Sequence, residues 1–246
     1  MQSRLDQIRR RAARYLDRRP VTIEPARGVF SLSFDDIPVT AWTEAGPVLA
    51  EHDVKATYYV CGGLSGGTNL GLPQFTTDHL QALHAAGHEV GCHTYQHASV
   101  FRLTPAELSA SFDRNAQWVG ERLEGHVMTS FAYPFGDCGL RSKAAVAHRF
   151  ALGRGVGDGI NQGHGDRPLL KAIGLETRRL PAYDLEALMQ QTAASRGWLI
   201  ASGHDVMDRP TPYGCTADDL DRIIRLAKAA GLDILPVEAG WRACRA

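Results

Sequence analysis

Short apolar runs of strand type alternate with segments of helical spacing along most of this chain. The strand-like runs lie at residues 29–34, 57–60, 89–93, 129–133, 150–156, 198–201 and 234–235. Several are followed by a helical segment, one of which opens with the capping box Thr104-x-x-Glu107. Strands that alternate with helices are typical of βα units, whose parallel strands form an open sheet or a barrel. Six or seven such units without a linker-like stretch predict a single α/β domain.

Composition and charge exclude several classes of protein. The 246 residues carry 27 Lys and Arg against 27 Asp and Glu, and 44% of them are hydrophobic. The balanced charge argues against a broad nucleic-acid surface, and the apolar fraction argues against a disordered chain. No apolar run approaches the ~20 residues of a membrane span, and no signal-peptide core is visible. We therefore expect a soluble cytoplasmic protein that binds no nucleic acid.

The five cysteines are widely dispersed and include no C-x-x-C pair. They are Cys61, Cys92, Cys138, Cys215 and Cys244. Because this pattern has neither zinc-finger spacing nor an evident disulfide framework, we predict reduced thiols.

Residues 1–20 form the most basic segment and are predicted to be an amphipathic helix that precedes a domain at 21–246. The apolar stripe of this helix would consist of Leu5, Ile8, Ala12 and Tyr15. One interpretation is that the stripe packs on the domain while the arginines remain in water. The alternative is weak contact of residues 1–19 with an anionic membrane surface.

Two adjacent carboxylates, Asp35 and Asp36, end the first predicted strand. Like charges in a partly buried site oppose each other's ionisation, and a bound cation removes that penalty. In α/β folds the residues at the carboxyl ends of the strands form the site. The alternative interpretation is a pair of helix N-cap residues at the entrance to a loop.

Two histidines, His93 and His97, follow the third predicted strand. If the turn after that strand is helical, both imidazoles lie on one face and within reach of a single ion. Two histidines and one aspartate suit zinc and leave the fourth position for water. The spacing alone is also common by chance, and no Glu follows His93 as the metalloprotease motif requires.

A third histidine, His204, lies just past the apolar strand at 198–201. A histidine at a strand end is suitably placed to act as a general acid. The alternative is a structural histidine with its hydrogen bonds satisfied by the fold.

Four motifs in this order resemble those of the polysaccharide deacetylases, which are carbohydrate esterase family 4 with the NodB-homology domain. The motifs are Ser33-Phe34-Asp35-Asp36, His93-Thr94-Tyr95-Gln96-His97, Phe131-Ala132-Tyr133-Pro134-Phe135-Gly136 and Leu199…His204. The resemblance spans roughly residues 28–236. It implies an α/β fold, a distorted seven-stranded (β/α) barrel with a mainly parallel sheet. Residues 1–20 would add the extra N-terminal helix.

The resemblance also implies a role for each motif residue. Asp36, His93 and His97 would hold one divalent metal ion, usually Zn²⁺. Asp35 would be the general base, His204 the general acid, and the backbone N–H of Phe135, after Tyr133 and Pro134, the oxyanion donor. The residues alone do not decide which of the two aspartates is the ligand, and that division comes from the family.

The chain departs from the family pattern at two positions. Many members have an arginine at the position of Ala132, which orients the catalytic carboxylate, and we name Arg154 as the candidate replacement. The family's fourth motif supplies an acidic residue that tunes the general acid, and here the candidates in the glycine-rich loop are Asp158 and Asp166. We prefer Asp158 for that role, with Asp166 and Asp205 as rivals.

Several further residues are expected at the barrel mouth. Tyr95, between the two histidines, is the preferred aromatic for the pocket, ahead of Trp42, Tyr58 and Tyr213. The glycine-rich segments 61–71 and 157–168 are predicted as loops there.

The predicted function is hydrolysis of the N-acetyl group of an acetylated amino sugar, using water activated by the metal. The substrate would be a sugar nucleotide, a lipid-linked saccharide or a surface polysaccharide precursor. Alternatives are O-deacetylation, hydrolysis of a small amide or imide on the same scaffold, or a non-catalytic carbohydrate-binding homologue. The sequence predicts no oligomeric state.

Overall fold

The structure is a computed structural model that describes residues 4–245, with side chains from residue 8 onward. The strands are β1 (Pro20–Ile23), β2 (Val29–Asp35), β3 (Thr57–Val60), β4 (Thr68–Asn69), β5 (Leu72–Pro73), β6 (Glu89–Cys92), β7 (Ser130–Ala132), β8 (Leu152–Arg154), β9 (Gly163–Asp166), β10 (Ile173–Gly174), β11 (Trp198–Gly203) and β12 (Asp233–Ile234). The α-helices are α1 (Arg4–Tyr15), α2 (Thr40–Thr43), α3 (Ala45–Glu51), α4 (Thr77–Ala85), α5 (Pro105–Gly120), α6 (Leu140–Arg149), α7 (Leu185–Ala194), α8 (Ala217–Ala229) and α9 (Val237–Ala243).

One curled parallel sheet organises the molecule. Its strand order is β10-β11-β2-β3-β6-β7-β8, and β12 adds to β2. A single bridge between Arg154 and Leu170 links the last strand to the segment that leads into the first. The sheet is therefore a distorted, incompletely closed barrel, and the predicted fold class is confirmed.

Side-chain alternation along β2 directs one set of residues into the barrel. Phe30, Leu32 and Phe34 belong to the cluster that packs under the helices. The residues between them therefore face the interior, where Ser31 accepts a hydrogen bond from Trp198 Nε1 at 2.9 Å. The same alternation carries Asp35, the last residue of β2, into the mouth of the barrel.

The N-terminal helix α1 does not pack as the sequence predicted. Ile8 is 62% exposed and Tyr15 is 78% exposed, whereas Ala13 is fully buried. Leu5, also predicted in the stripe, lies outside the described side chains. The interpretation that the predicted stripe packs on the domain is therefore wrong for Ile8 and Tyr15.

A buried lysine explains how α1 is held. Lys143 Nζ donates hydrogen bonds to the carbonyl oxygens of Ala13 and Leu16, at 2.8 and 2.7 Å. It also pairs with Asp166 at 2.6 Å. The small Ala13 lets the helix approach closely, and the ammonium satisfies carbonyls at the helix C-terminus. The helix is thus held through its backbone carbonyls and Lys143, and Arg10 of α1 adds an ion pair with Asp137 at 3.1 Å.

Both glycine-rich segments contain strands that the sequence did not predict. β9 lies within 157–168 and pairs antiparallel with β1. β4 and β5 form a hairpin that begins within 61–71. The sequence of β9, Gly163-His164-Gly165-Asp166, has no strand-forming apolar residue, so its pairing is set by tertiary structure.

All five cysteines are buried free thiols. Within residues 4–245, every helix is too short or too polar to cross a bilayer.

Candidate active site

Three metal-ligating side chains converge at the mouth of the barrel. Asp36 follows β2, and His93 and His97 follow β6. Asp36 Oδ1 lies 3.6 Å from His93 Nε2 and 3.3 Å from His97 Nε2. One donor atom from each residue lies within 4.8 Å of the others. Two separate βα junctions thus place a carboxylate and two imidazoles around one point.

Unusual backbone conformations accompany this convergence. Five non-glycine residues at the mouth have positive φ angles: Asp36 (63°), Ile37 (62°), Thr94 (66°), His97 (52°) and Phe135 (60°). The expectation of a helical turn between the two histidines is therefore wrong, since Thr94 and His97 are left-handed. Such conformations cost about 1–3 kcal/mol each and persist where the surroundings enforce them. Here they aim side chains into the mouth.

The hydrogen bonding of His93 fixes which nitrogen is available. Its Nδ1 lies 2.8 Å from the carbonyl oxygen of Ala132 and must donate to it. Nε2 is then the lone-pair nitrogen, and it faces Asp36. Carbonyl-anchored imidazoles of this kind are typical of metal sites.

Burial keeps both imidazoles neutral near pH 7. It lowers the pKa of His93, although Asp35 and Asp36 oppose the effect. Burial, reinforced by His93, lowers the pKa of His97 to about 4. Because metals bind neutral imidazole, neither ring needs to release a proton before coordination.

The distances from Asp36 to the two histidines fit a tetrahedral ion. Bonds of ~2.0–2.1 Å at tetrahedral angles place neighbouring donor atoms about 3.3 Å apart. The two distances from Asp36 Oδ1, 3.3 and 3.6 Å, are close to that value. One carboxylate and two imidazoles also suit Zn²⁺ and related divalent ions and leave a fourth position for water.

A residue that the sequence analysis missed orients the carboxylate. Asn69, at the end of β4, donates a hydrogen bond from Nδ2 to Asp36 Oδ2 at 2.9 Å. Oδ2 is thereby occupied, while Oδ1 faces the histidines. The two-residue turn Leu70-Gly71 has positive φ at both positions, 51° and 78°. An Asn-Gly turn would have predicted this hairpin, and Leu at the first turn position concealed it.

The second aspartate makes a different contact. Asp35 Oδ1 forms a buried ion pair with the guanidinium of Arg154, which is completely inaccessible to solvent. The same guanidinium lies over the Tyr59 ring, 5.1 Å from its centroid. Arg154 Nε has no hydrogen-bond partner within residues 8–245. The contacts with Asp35 and Tyr59 therefore fix the guanidinium in place, with its positive charge beside the Asp35 carboxylate.

Arg154 and Ala132 are partners in the sheet. Ala132 on β7 and Arg154 on β8 lie opposite each other in the register of the two strands. The guanidinium therefore enters the barrel mouth from the neighbouring strand, beside the position where many members of the family have their arginine.

The charges around Asp35 outweigh its burial. Burial alone raises its pKa, but Arg154, then His93 and His204, lower it to about 2. The carboxylate is therefore ionised at neutral pH.

These residues line one cavity of about 420 Å³. Its walls include Asp35, Asp36, His93, His97, Tyr133, Phe135 and His204. Phe135 is 66% exposed and follows the buried Pro134. Its backbone N–H donates to no other group in the part of the chain that the structure describes. The cavity therefore combines the candidate ligands, a carboxylate, an imidazole and a free backbone donor.

His204 follows β11 and packs against Tyr213, with ring centroids 5.6 Å apart. Its Nδ1 is buried and has no hydrogen-bond partner in the described chain. It is close enough to Asp35 for its charged form to lower the pKa of that carboxyl. The general-acid candidate and the general-base candidate thus share the cavity.

None of the acidic residues considered as partners of His204 is hydrogen-bonded to it. Asp158, the preferred candidate, instead accepts hydrogen bonds from Arg179 Nη2 at 2.8 Å and Tyr183 Oη at 2.8 Å. Asp166 binds Lys143 as described above. Asp205 accepts hydrogen bonds from Thr211. The assignment of Asp158 to His204 is therefore wrong as a direct contact, because its loop directs it to Arg179.

The prediction that Tyr95 lines the pocket is also wrong. Its ring packs under the Arg114 guanidinium, 3.9 Å from the ring centroid, and does not line the cavity. The left-handed turn at Thr94 directs Tyr95 away from the two histidines. Trp42 and Tyr58 pack against each other in the core, whereas Tyr213 lines the cavity.

The chain is similar in sequence to known deacetylases. The profile of the family described as "Polysaccharide deacetylase" matches residues 22–151, more than half of the chain. A chitin deacetylase of Colletotrichum lindemuthianum is 28% identical over 115 residues, which are 45% of this chain and 43% of that protein. The chain thus spans less than half the length of that curated relative.

Solved structures share the fold. A family 4 carbohydrate esterase from Bacillus anthracis superimposes with a TM-score of 0.62 at 13% identity, covering 99% of this chain and 94% of that one. A family 4 acetyl xylan esterase from Clostridium thermocellum, in complex with a cobalt ion, has a TM-score of 0.57 at 20% identity over 87% and 90% of the two chains. With the matched profile covering Asp35, Asp36, His93 and His97, the chain belongs to the polysaccharide deacetylase family.

Proposed function

We propose that this protein is a metal-dependent hydrolase that removes the N-acetyl group from an acetylated amino sugar. The observation that carries the proposal is the convergence of Asp36, His93 and His97 beside Asp35 and His204 in one cavity. A site that only bound a metal would need the first three residues alone. A carboxylate and an imidazole on the same cavity add the proton-transfer groups that hydrolysis of an amide requires.

Each side chain has a distinct role in this reaction. A divalent ion held by Asp36, His93 and His97 would activate water and polarise the acetamide carbonyl. Asp35, ionised through its contact with Arg154, accepts the proton of the attacking water. The Phe135 N–H donates a hydrogen bond to the oxygen of the acetamide as negative charge develops on it. His204 donates a proton to the amine as the C–N bond breaks.

Arg154 acts on the reaction through Asp35. It faces no substrate directly, because it is fully buried behind that carboxylate. Its charge keeps the base ionised, and its contact directs Oδ1. We assign to Arg154 the positioning role that an arginine at the site of Ala132 has in many members of the family.

The cavity suits a sugar ring more than a small polar amide. Phe135 and Tyr213 expose 66% and 42% of their surfaces at its rim. Exposed aromatic rings pack on the apolar faces of pyranose rings. The similarity to chitin deacetylases favours N-acetylglucosamine units, and the site chemistry is the same for N- and O-acetyl groups.

We expect purified protein to contain about one divalent ion per chain and to release acetate from N-acetylated saccharides. The test is elemental analysis together with an acetate-release screen over chitooligosaccharides, sugar nucleotides and an O-acetylated xylan. Release from the amide substrates above the ester would support N-deacetylation. Bound metal without acetate release from any sugar would contradict the proposal and favour a small-molecule amide hydrolase.

Asn69 provides a separate test of the ligand set. Asn69→Ala should weaken metal affinity by about 10–100-fold, because Asp36 Oδ2 loses the donor that orients the carboxylate. The measurement is the dissociation constant for Zn²⁺ in competition with a chromophoric chelator. Thr68→Ala is the matched control, since Thr68 is an exposed residue of the same hairpin. Equal affinity in Asn69→Ala and Thr68→Ala would remove Asn69 from the site.

A further inference from the structure

A second groove, beside the catalytic cavity, is lined by arginines. It has a volume of about 450 Å³ and lies between α1, the segment before α5 and the start of α6. Its charged lining residues are Arg9, Arg102 and Arg141. Its lining also includes Phe101, whose ring lies under the Arg10 guanidinium at 4.7 Å from the centroid, and the exposed side chain of Leu140. We call it the arginine groove.

The positive charge of the arginine groove is not neutralised locally. Arg102 and Arg141 are exposed, and neither guanidinium has an ion pair or hydrogen bond within residues 8–245. The carboxylate of Glu107 reaches one edge, where it accepts hydrogen bonds from Thr104 N and Oγ1, both at 2.8 Å. That carboxylate serves the N-terminal cap of α5. Three arginines therefore line the groove and none of its described lining residues is acidic, in a chain whose total charge is zero.

The arginine groove shares a lining residue with a third cavity, which in turn shares a lining residue with the catalytic cavity. Phe135 lines the catalytic cavity and also a cavity of about 400 Å³ whose lining includes Arg102. Arg102 in turn lines the arginine groove. The one acidic residue at the junction, Asp137, is paired with Arg10 at 3.1 Å. A molecule seated in the catalytic cavity can therefore extend past Phe135 and bring an anionic group to Arg102.

We propose that the arginine groove binds the phosphate group of a phosphorylated saccharide whose acetamide lies in the catalytic cavity. Guanidinium groups bind phosphate through paired, charge-assisted hydrogen bonds. The exposed side chain of Leu140 provides an apolar surface for the sugar or for the group linked to the phosphate. The inference rests on the proposed function, and it narrows the substrate to an anionic saccharide.

The test measures binding of a phosphorylated sugar that is not a substrate. Glucose 1-phosphate has no acetyl group, so its binding is independent of deacetylation, and glucose is the neutral control. By calorimetry on the metal-loaded protein at low salt, the double variant Arg102→Gln/Arg141→Gln should bind glucose 1-phosphate at least about tenfold more weakly than wild type. Arg222→Gln is the matched control, because Arg222 is an exposed arginine on α8. Its affinity should be unchanged.

A kinetic comparison tests the link to the catalytic cavity. For a phosphorylated, N-acetylated saccharide the double variant should raise KM at least about tenfold and leave kcat unchanged. For the neutral saccharide both constants should stay at the wild-type values. An equal change in KM for both substrates would contradict a phosphate site.

Three further outcomes separate the possibilities. Equal binding of glucose 1-phosphate by wild type and double variant, or none at millimolar concentration, would overturn the inference. So would arginine-dependent sedimentation with phosphatidylglycerol vesicles in the absence of glucose 1-phosphate binding, which would assign these residues to a membrane surface. Arginine-dependent binding of glucose 1-phosphate in a protein that deacetylates no sugar would uphold the phosphate site and reject the proposed function.

Discussion

Asp35→Asn is expected to lower kcat for deacetylation by about 10³-fold or more while leaving the bound metal in place. The amide oxygen of Asn can still accept the hydrogen bond from Arg154, so the geometry is retained. It cannot accept a proton, and general-base catalysis is typically worth about 10²–10⁴-fold. The measurement is acetate release at saturating substrate, with metal content determined on the same sample by elemental analysis.

Asp36→Asn is the matched control, because it changes the neighbouring carboxylate in the same way. It should lose metal and activity together, since Asp36 Oδ1 lies 3.3–3.6 Å from the two imidazoles. The pair of variants thus separates the base from the ligand, a division that the sequence alone leaves open. Loss of metal in Asp35→Asn, or retention of wild-type turnover, would show that the two roles are assigned wrongly.

The fold could be predicted because its signals are local and repeated. Each βα unit has an apolar run and a helical segment, and the polar residues Asp35, Asp36 and His93 lie at the ends of such runs. Since the carboxyl ends of parallel strands meet at one edge, their proximity follows once the topology is known. The pairing of motifs, more than any single spacing, identified the family.

The details that the sequence missed depend on contacts between distant segments. Asn69 reaches Asp36 through a hairpin with an unusual turn residue, and β9 exists because β1 pairs with it. The predictions that Tyr95 lines the pocket and that Asp158 contacts His204 rest on nearness in sequence to other motif residues or strand ends. A left-handed residue at Thr94 and the competing partner Arg179 direct these two side chains elsewhere. Positive φ angles and the hydrogen-bond partner of a side chain depend on contacts in the folded chain, so the sequence pattern does not predict them.

Arg154→Met should lower kcat by about 10²-fold at pH 7 and move the acidic limb of the pH–rate profile upward. Asp35 has a pKa of about 2, because the charges of Arg154, His93 and His204 outweigh its burial. Without Arg154 only the two histidines oppose the effect of burial, so the pKa of Asp35 rises and the base becomes protonated at a higher pH. The measurement is kcat/KM from pH 3 to 8, which reports the ionisation of the free enzyme.

The same contact links Arg154 to stability. A carboxyl whose pKa is lowered by folding stabilises the native state above its ordinary pKa of 3.8, and this contribution is lost as pH falls towards 2. Breaking a buried pair from one side costs about 3–5 kcal/mol. Arg167→Met is the control, because within residues 8–245 the Arg167 guanidinium binds only backbone carbonyls, those of Ala147, Phe150 and Ala151. It should lower stability without moving the acidic limb.

Exchanging Ala132 and Arg154 tests whether an arginine on β7 can keep Asp35 ionised as the arginine on β8 does. The double variant Ala132→Arg/Arg154→Ala returns the guanidinium to β7, and the side chain removed from β8 leaves room for it, because the two residues lie opposite each other. It should recover at least about tenfold of the activity lost in Arg154→Ala and restore the low acidic limb, since the charge again faces Asp35. If the double variant recovers the free energy of unfolding but the acidic limb of its pH–rate profile stays at the higher pH, Arg154 contributes packing and does not set the pKa of Asp35. An acidic limb that stays at the wild-type pH in Arg154→Ala itself would show that Asp35 is held ionised by other groups.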